Sequence, residues 1–316
     1  MLSATSPLNI CRPNPVLLSA TKDESLVDAY KTAMKWIPWD GENMTDYPVE
    51  TIQITEGPFS ITGIDPAISR VNIASPYIHG AAFACQRWSY GYYHFIAETL
   101  PKILRIVELD QKVPLICYYA NFHPKINVRF IPEVLKYFGI TNPIINYHPG
   151  VVYTVQHLMT TTDVQCGIPS PHDVAIIRAH LPIRAETPPP KNVGIVIKRS
   201  GRPLRSIWNH ADMYDAICAA RPDLEWHEFD SMPFADTVEL FSLAKVIVAP
   251  HGAGLVNMMW TAPGARIIEI GPVNEPNICY WHLSCLLGHN HTILVAPSDA
   301  SGRLWPQIDK IIKSIR

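Results

Sequence analysis

Ala249-Pro250-His251-Gly252-Ala253-Gly254-Leu255-Val256-Asn257 is the stretch that decides the reading of this chain. An apolar run, Ala244-Lys245-Val246-Ile247-Val248-Ala249, leads into it, and a helix-compatible run from Leu255 to Trp260 follows. The pattern predicts a strand, a tight turn of small residues and a helix start. The first N–H groups of a helix have no internal partner, and the helix dipole favours negative charge there. Gly252 and Gly254 lack a Cβ, so a phosphate can approach the backbone closely. His251 adds a donor or a charge. The stretch therefore reads as a diphosphate cradle, which points to a nucleotide-linked substrate.

The pattern around it is regular. Strands are expected at Asn192 to Lys198, Leu224 to Phe229, Val246 to Ala249, Arg266 to Ile270 and Thr292 to Val295. Helices are expected at Asn209 to Ala220, Pro233 to Leu243 and Asn277 to Leu287, the first with Asn209 as N-cap and Asp212 in a capping-box position. Strand and helix alternating with short connections argue for a parallel α/β sheet, whose ligands bind beyond the C-terminal strand ends. Polar groups fall at those ends at Arg199 to Arg205, at His251 to Gly254 and at Glu269.

The N-terminal half is less regular. Thr51 to Thr55, Phe59 to Ile64, Val113 to Tyr119 and Val151 to Leu158 read as strands. Tyr92 to Leu109 reads as a long amphipathic helix kinked at Pro101, and Ile131 to Phe138 as a shorter one. Thr187-Pro188-Pro189-Pro190 admits neither helix nor central strand and reads as a linker. The expected division is an N-terminal α/β domain at 1–187 and a Rossmann-like nucleotide-binding domain at 191–304. The last helix, within 305–316, is expected to pack back on the first domain.

Composition limits the function classes. The 316 residues are 47% hydrophobic and 17% charged, as in a globular protein with real cores. A net charge of −2 gives no electrostatic support for a nucleic-acid partner. No apolar stretch reaches the roughly 18 residues of a membrane span, and Met1 to Pro15 does not read as a signal peptide. The seven cysteines are odd in number and scattered without zinc spacing. The expectation is a cytoplasmic protein with reduced thiols. The sequons at Asn43 and Asn290 decide nothing at this length.

Two further motifs carry chemistry. Lys198-Arg199-Ser200-Gly201-Arg202-Pro203-Leu204-Arg205-Ser206-Ile207-Trp208-Asn209 places three arginines directly after a strand. The arginine fork matches phosphate oxygens, and a diphosphate leaving group needs its charge neutralised by arginines or a metal. Alone, the motif is equally a solvated basic loop. In Tyr90-Gly91-Tyr92-Tyr93-His94-Phe95-Ile96-Ala97-Glu98-Thr99-Leu100-Pro101, His94 and Glu98 lie four apart on one helical face. Such a pair can take a proton from a sugar hydroxyl, the carboxylate tuning the imidazole. It is also the spacing of a helix-stabilising pair beside a core aromatic cluster, and of half a metal site. HExxH is absent and no clear third ligand stands out, so no metal is expected. Glu269, at the end of an apolar strand, can accept hydrogen bonds from a ribose or be a salt-bridged structural acid. A dinucleotide-dependent oxidoreductase needs G-x-G-x-x-G, and Asn257 stands where its third glycine belongs.

These segments, in this order, resemble glycosyltransferase family 61, which includes plant xylan xylosyl- and arabinosyltransferases and animal O-linked N-acetylglucosaminyltransferases. The resemblance rests on Tyr92-Tyr93-His94-Phe95 with Glu98 and Leu100-Pro101, on Arg199 and Arg205 with Asn209, on His251-Gly252-Ala253-Gly254-Leu255-Val256-Asn257, and on Pro263-Gly264 with Ile268-Glu269-Ile270. His210 departs from it, since an acidic residue usually follows that asparagine. The membrane anchor of eukaryotic members is not seen in the chain.

The resemblance implies an α/β protein of GT-B architecture, with two Rossmann-like domains facing across a cleft. It implies inversion at the anomeric carbon and a UDP-sugar donor, xylose or another pentose being preferred and UDP-N-acetylglucosamine the alternative. Arg199, Arg205, Asn209, His251, Gly252, Ala253, Gly254, Asn257 and Glu269 would hold the donor. His94 or Glu98 would be the base, and Trp88, Tyr90, Tyr92 and Tyr93 would stack on the sugar rings of a glycan acceptor. No cofactor or metal is expected. A module that binds UDP-sugar without turnover is the non-enzymatic alternative.

Overall fold

A computed structural model describes residues 16–19, 28, 30–31, 52–61, 73–74, 77–120, 127–148, 151–162, 166–181, 192–201 and 203–316. The chain divides into two units: Met1–Met44 with Thr187–Met232 and Thr237–Arg316, and Thr45–Glu186 with Pro233–Asp236. Thr187 to Pro190, residues 62–64, Asn43, Cys11 and Arg202 lie outside the described residues.

The first unit is built on a six-stranded parallel sheet. Its strands are β1 (Val16–Ser19), β8 (Val193–Ile197), β9 (Glu225–Phe229), β10 (Ala244–Pro250), β11 (Arg266–Pro272) and β12 (Asn290–Ala296), in the order β1-β12-β11-β10-β8-β9. The interior strands carry near-continuous apolar runs because both faces are covered. Alternate residues of β12 go to opposite layers. Leu294 and Ala296 join Val248 and Ile270 under α5 (His210–Ala220), while Ile293 and Val295 pack with Tyr30, Trp281 and Cys285 of the other layer. The second layer includes α7 (Cys279–Leu287). From β8 the chain passes outward to β9, then through α6 (Phe234–Ser242) to β10 on the other side of β8. Strand order therefore reverses between β8 and β10, and an open α/β sheet has its ligand crevice at the C-terminal ends of such a pair. The Arg199 loop follows β8 and the glycine turn follows β10.

Two segments sit elsewhere than their place in the chain suggests. β1 pairs in parallel with β12, Val16 opposite Thr292, so this strand belongs with the C-terminal sheet and covers an edge that would otherwise stay open. The last helix, α8 (Ile308–Ile315), buries Ile311 and Ile315 in the core that contains Ile268 and Leu294, so it completes the second half of the chain instead of returning to the first.

The second unit has the strand order β2-β7-β4-β5-β6, from β2 (Ile52–Ile61), β4 (Ile78–Phe83), β5 (Leu115–Cys117), β6 (Ile144–Asn146) and β7 (Val151–Thr161); β3 (Ile73–Ala74) also pairs with β7. The pairs are parallel except β2 with β7. The two strands expected around 51–64 are one strand with an irregularity between Glu56 and Phe59. The long helix is interrupted as expected, but ahead of Pro101. It runs as α1 (Tyr92–His94), a π-helical turn at Phe95–Thr99 and α2 (Leu100–Leu109), with the proline in the first turn of α2, where its missing N–H costs nothing. The remaining helices are α3 (Phe130–Tyr137) and α4 (Pro171–Ala179).

Both units are thus mixed α/β with parallel strands. Among the described residues no helix is long and apolar enough to cross a membrane, and the six cysteines are free thiols.

Candidate functional site

In the first unit the turn after β10 opens a 3-10 helix, Ala253–Trp260, where an α-helix start was expected. Gly252 is extended, with φ 166, so its backbone alone does not require glycine. Proximity favours it: a Cβ there would overlap Nη1 of Arg199, the far end of a flexible side chain, which would have to shift. The guanidinium lies against the turn, and its Nε–H donates to Leu204 O at 2.8 Å. Gly254 sits over Ile197, whose Cγ2 would be 3.2 Å from an added Cβ.

Arg205 and Asn209 come from the same loop. Arg205 has φ 62, a left-handed conformation that costs a side-chain-bearing residue roughly 1–2 kcal/mol. Two bonds hold it there: its N–H donates to Gly302 O at 2.6 Å, and Ser206 O accepts from Leu304 N–H at 2.7 Å. Its Nε is buried without a hydrogen-bond partner, and so is Oδ1 of Asn209. Asn209 precedes α5 but its side chain makes no cap, which departs from the expected capping box. Buried polar atoms are nearly always satisfied, and an orphaned donor and an orphaned acceptor in one loop suit a polar ligand.

Behind the turn lies a buried acid. Glu269 is fully buried; it accepts from Nδ1–H of His251 and, at 2.9 Å, from Nε2–H of His291. Burial raises its pKa, but the hydrogen bonds and charges of the two histidines outweigh that and hold it near about 2. With each oxygen engaged by a histidine and no exposure, Glu269 has the salt-bridged structural arrangement that the sequence offers as the alternative to a ribose contact. It also orients His251, whose Nδ1–H it accepts. Tyr280 packs edge-on against His251, ring centroids 5.0 Å apart. Its hydroxyl is raised well above its ordinary range, first by burial, then by the charges of Cys279 and Glu269, with Arg205 and Arg199 opposing. One small region of this unit therefore gathers Arg199, Arg205, His251, Glu269 and Tyr280. Asn257 is buried beneath the 3-10 helix, accepting from Trp260 Nε1–H at 3.1 Å.

In the second unit the π-helical turn carries Glu98 into the interior. Its Oε2 accepts from Gln86 Nε2 at 2.8 Å and from His94 Nδ1 at 2.9 Å, and its Oε1 accepts from Gly167 N–H at 2.7 Å. π-Turns often mark functional positions because one extra residue re-aims a side chain. Glu98 has no exposure, whereas the His94 side chain keeps 24%. Burial lowers the His94 pKa, but hydrogen bonds and charges from Cys166 and Glu98 raise it to about 9. The Cys166 thiol lies 3.9 Å from His94 Nδ1. Its segment is anchored two ways: Gly167 on Glu98, and a capping box of Ser170 and Asp173, whose carboxylate pairs with Arg105 at 2.8 Å.

The turn before α1 is pinned too. Ser89 Oγ accepts from Gln86 N–H and from Thr99 Oγ1–H. Trp88 holds a left-handed φ of 66 and its ring stands 5.4 Å from His94. Among the described residues other than glycine, Trp88 and Arg205 are the ones with positive φ, one in each cluster. Of the expected stacking rings, Trp88 is partly exposed, Tyr92 packs on Phe130, Tyr90 on Tyr118, and Tyr93 is buried against His94.

A family model described as Glycosyltransferase 61 matches residues 92–268, more than half of the chain. The protein belongs to glycosyltransferase family 61. A comparison with curated proteins finds no match. As a family 61 glycosyltransferase, the chain acts on a sugar donor and an acceptor. The matched span runs from the start of α1 through His94, Glu98, Arg205 and the glycine turn into β11. Sequence reasoning missed Gln86, Cys166, Tyr280 and His291. A signal existed for His291, since a histidine inside the apolar run Thr292-Ile293-Leu294-Val295 and its neighbours must find a polar partner when that strand is buried.

Proposed function

We propose that the protein is an inverting glycosyltransferase that moves a sugar, xylose or another pentose, from a UDP-sugar to a hydroxyl of a glycan. The observation that carries this is the pair of orphaned atoms, Arg205 Nε and Asn209 Oδ1, in the loop beside the glycine turn at the sheet's reversal point. The reading takes the two α/β units as the halves of a GT-B enzyme. Arg199, Arg205 and the amides of Gly252 to Gly254, with His251 beside them, meet the diphosphate charge, the role a metal serves in other transferases.

Transfer is one in-line displacement. The acceptor oxygen bonds to the anomeric carbon as the bond to the diphosphate oxygen breaks, and UDP leaves with that electron pair. The hydroxyl proton goes to Nε2 of His94 in its neutral form, which the raised pKa makes the minor form near pH 7, so transfer is expected to rise as pH approaches about 9. Glu98 is the positioning group: it is buried, and its oxygens already accept from His94, Gln86 and Gly167. This ordering of the dyad follows from exposure, since the His94 side chain keeps 24% and Glu98 none. The cations at the diphosphate stabilise charge that grows as the bond breaks, which is where catalysis requires it.

The test is a donor-hydrolysis screen of the full chain across UDP-sugars. Release of UDP from UDP-xylose or another UDP-pentose supports the reading, and release from UDP-N-acetylglucosamine alone replaces the sugar. Saturable binding of UDP with no turnover on any donor, even with glycan acceptors present, reassigns the protein as a binding module.

A further inference from the structure

We propose that His94, Glu98 and Cys166 form a binding site for a thiophilic divalent cation, zinc being the natural occupant, and that the bound cation silences His94. The second half rests on His94 as the base; the first does not. One ligand atom from each residue lies within 4.8 Å of the other two. His94 Nδ1 stands 2.9 Å from the Glu98 carboxylate and 3.9 Å from Cys166 Sγ. Tetrahedral zinc, with bonds of about 2.0–2.3 Å, sets ligand-to-ligand edges of roughly 3.3–3.7 Å. The two distances from His94 bracket that range, and the third edge, Glu98 to Cys166, is within 4.8 Å.

The ligand types fit a borderline-soft cation, one nitrogen, one oxygen and one sulfur, leaving a fourth position for water. Oxygen-seeking magnesium or calcium has no use for the thiol. Supporting contacts are already built. Gln86 and Gly167 hold the Glu98 carboxylate, and the Gly167 bond ties the Cys166 segment to the same acid. Such outer contacts orient first ligands and raise affinity. Cys166 is exposed, so a cation can enter from solvent.

Binding displaces the thiol proton and the proton on Nδ1 of the imidazole: from the imidazolium both go to solvent, and from the neutral base form the loss at Nδ1 is matched by uptake at Nε2. The neutral ring then keeps its single proton on Nε2. An Nε2–H cannot accept the proton of an acceptor hydroxyl, so the loaded enzyme has lost its base.

Cobalt(II) added to chelator-treated full-length protein tests the site without reference to activity. A thiolate bound to cobalt gives an intense near-ultraviolet charge-transfer absorption. We expect that band in the wild type, its loss on stoichiometric zinc addition, its absence in Cys166→Ser, and its persistence in Cys218→Ser, which alters another non-buried thiol. No band in the wild type, or an undiminished band in Cys166→Ser, overturns the site. The second arm is transfer measured against zinc: the wild type is expected to be inhibited at concentrations at least tenfold below those needed for Cys166→Ser. Cobalt bound through Cys166 with no loss of transfer on metal loading overturns the silencing, and with it the assignment of His94 as base, while leaving the cation site standing.

Discussion

Nη1 of Arg199 fills the space that a Cβ on Gly252 would need. The glycine and the arginine are therefore one device: the backbone is bare so that the cation can lie on the turn. Gly252→Ala is expected to push the guanidinium off the turn and weaken donor binding. A lost charge-assisted hydrogen bond of about 1.5–3 kcal/mol corresponds to roughly a 10- to 150-fold rise in donor KM. An unchanged KM in steady-state kinetics would show that Arg199 has no part in donor binding.

Arg205 sets function against stability. Its left-handed backbone strains any residue with a Cβ. Arg205→Gly removes that strain and should leave the protein at least as stable, by up to about 1 kcal/mol in denaturant titration. The same change is expected to lower kcat/KM by about 100-fold or more through loss of the diphosphate cation. Loss of stability together with loss of activity would mark Arg205 as a structural residue.

Glu269 makes stability depend on pH. Its folded pKa, near about 2, lies below the ordinary 4.5, because His251 and His291 hold the carboxylate ionised. A depressed carboxylate contributes stability that is fully present above the unfolded value and is lost as pH falls through the folded one. The stability gap between wild type and Glu269→Gln is therefore expected to be wide at pH 7 and to narrow between about pH 4.5 and 2. Removing one partner of such a buried cluster costs about 3–5 kcal/mol. Chemical denaturation of both proteins across that range reads it directly, and a gap independent of pH contradicts it.

The His94–Glu98 order predicts a graded loss. His94→Ala removes the proton acceptor and is expected to lower kcat by about 100- to 10,000-fold with little change in donor KM. Glu98→Gln retains the ring but loses its orientation, and should fall between that variant and the wild type. The reverse ranking would make Glu98 the base.

The last helix is expected to be part of the first unit's core. Ile311→Ala opens a cavity beside Ile268 and Leu294 and should cost about 2–5 kcal/mol by denaturant titration. A loss under about 0.5 kcal/mol would place α8 outside that core.

Much of this was legible in the sequence where one local rule governs. β8, β10 and β11 were readable because strands covered on both faces are unbroken apolar runs, and the turn after β10 was readable from its glycines. The 3-10 winding of Ala253–Trp260 was not, since the apolar spacing suits an α-turn as well. The π-helical turn was not either, because Pro101 draws attention one turn too late. The partners of Glu269 and of Glu98 depend on long-range neighbours. His291 meets Glu269 only once β11 and β12 lie side by side, and Cys166 meets His94 from 72 positions away. β1 was hidden for the same reason: Val16-Leu17-Leu18-Ser19 has no local sign of the strand it joins.

The pairing of β1 with β12 also has a consequence during translation. Val16 and its neighbours leave the ribosome early, yet the strand they join is made last but for α8. The sheet around the glycine turn therefore cannot close until nearly the whole chain has been synthesised, and ordering such a long connection delays it further. Strands β2 to β7 have every sheet partner in hand by Thr161. The unit that carries His94 is thus free to fold while the other is still being made, and the first strand must be kept from other partners in the meantime.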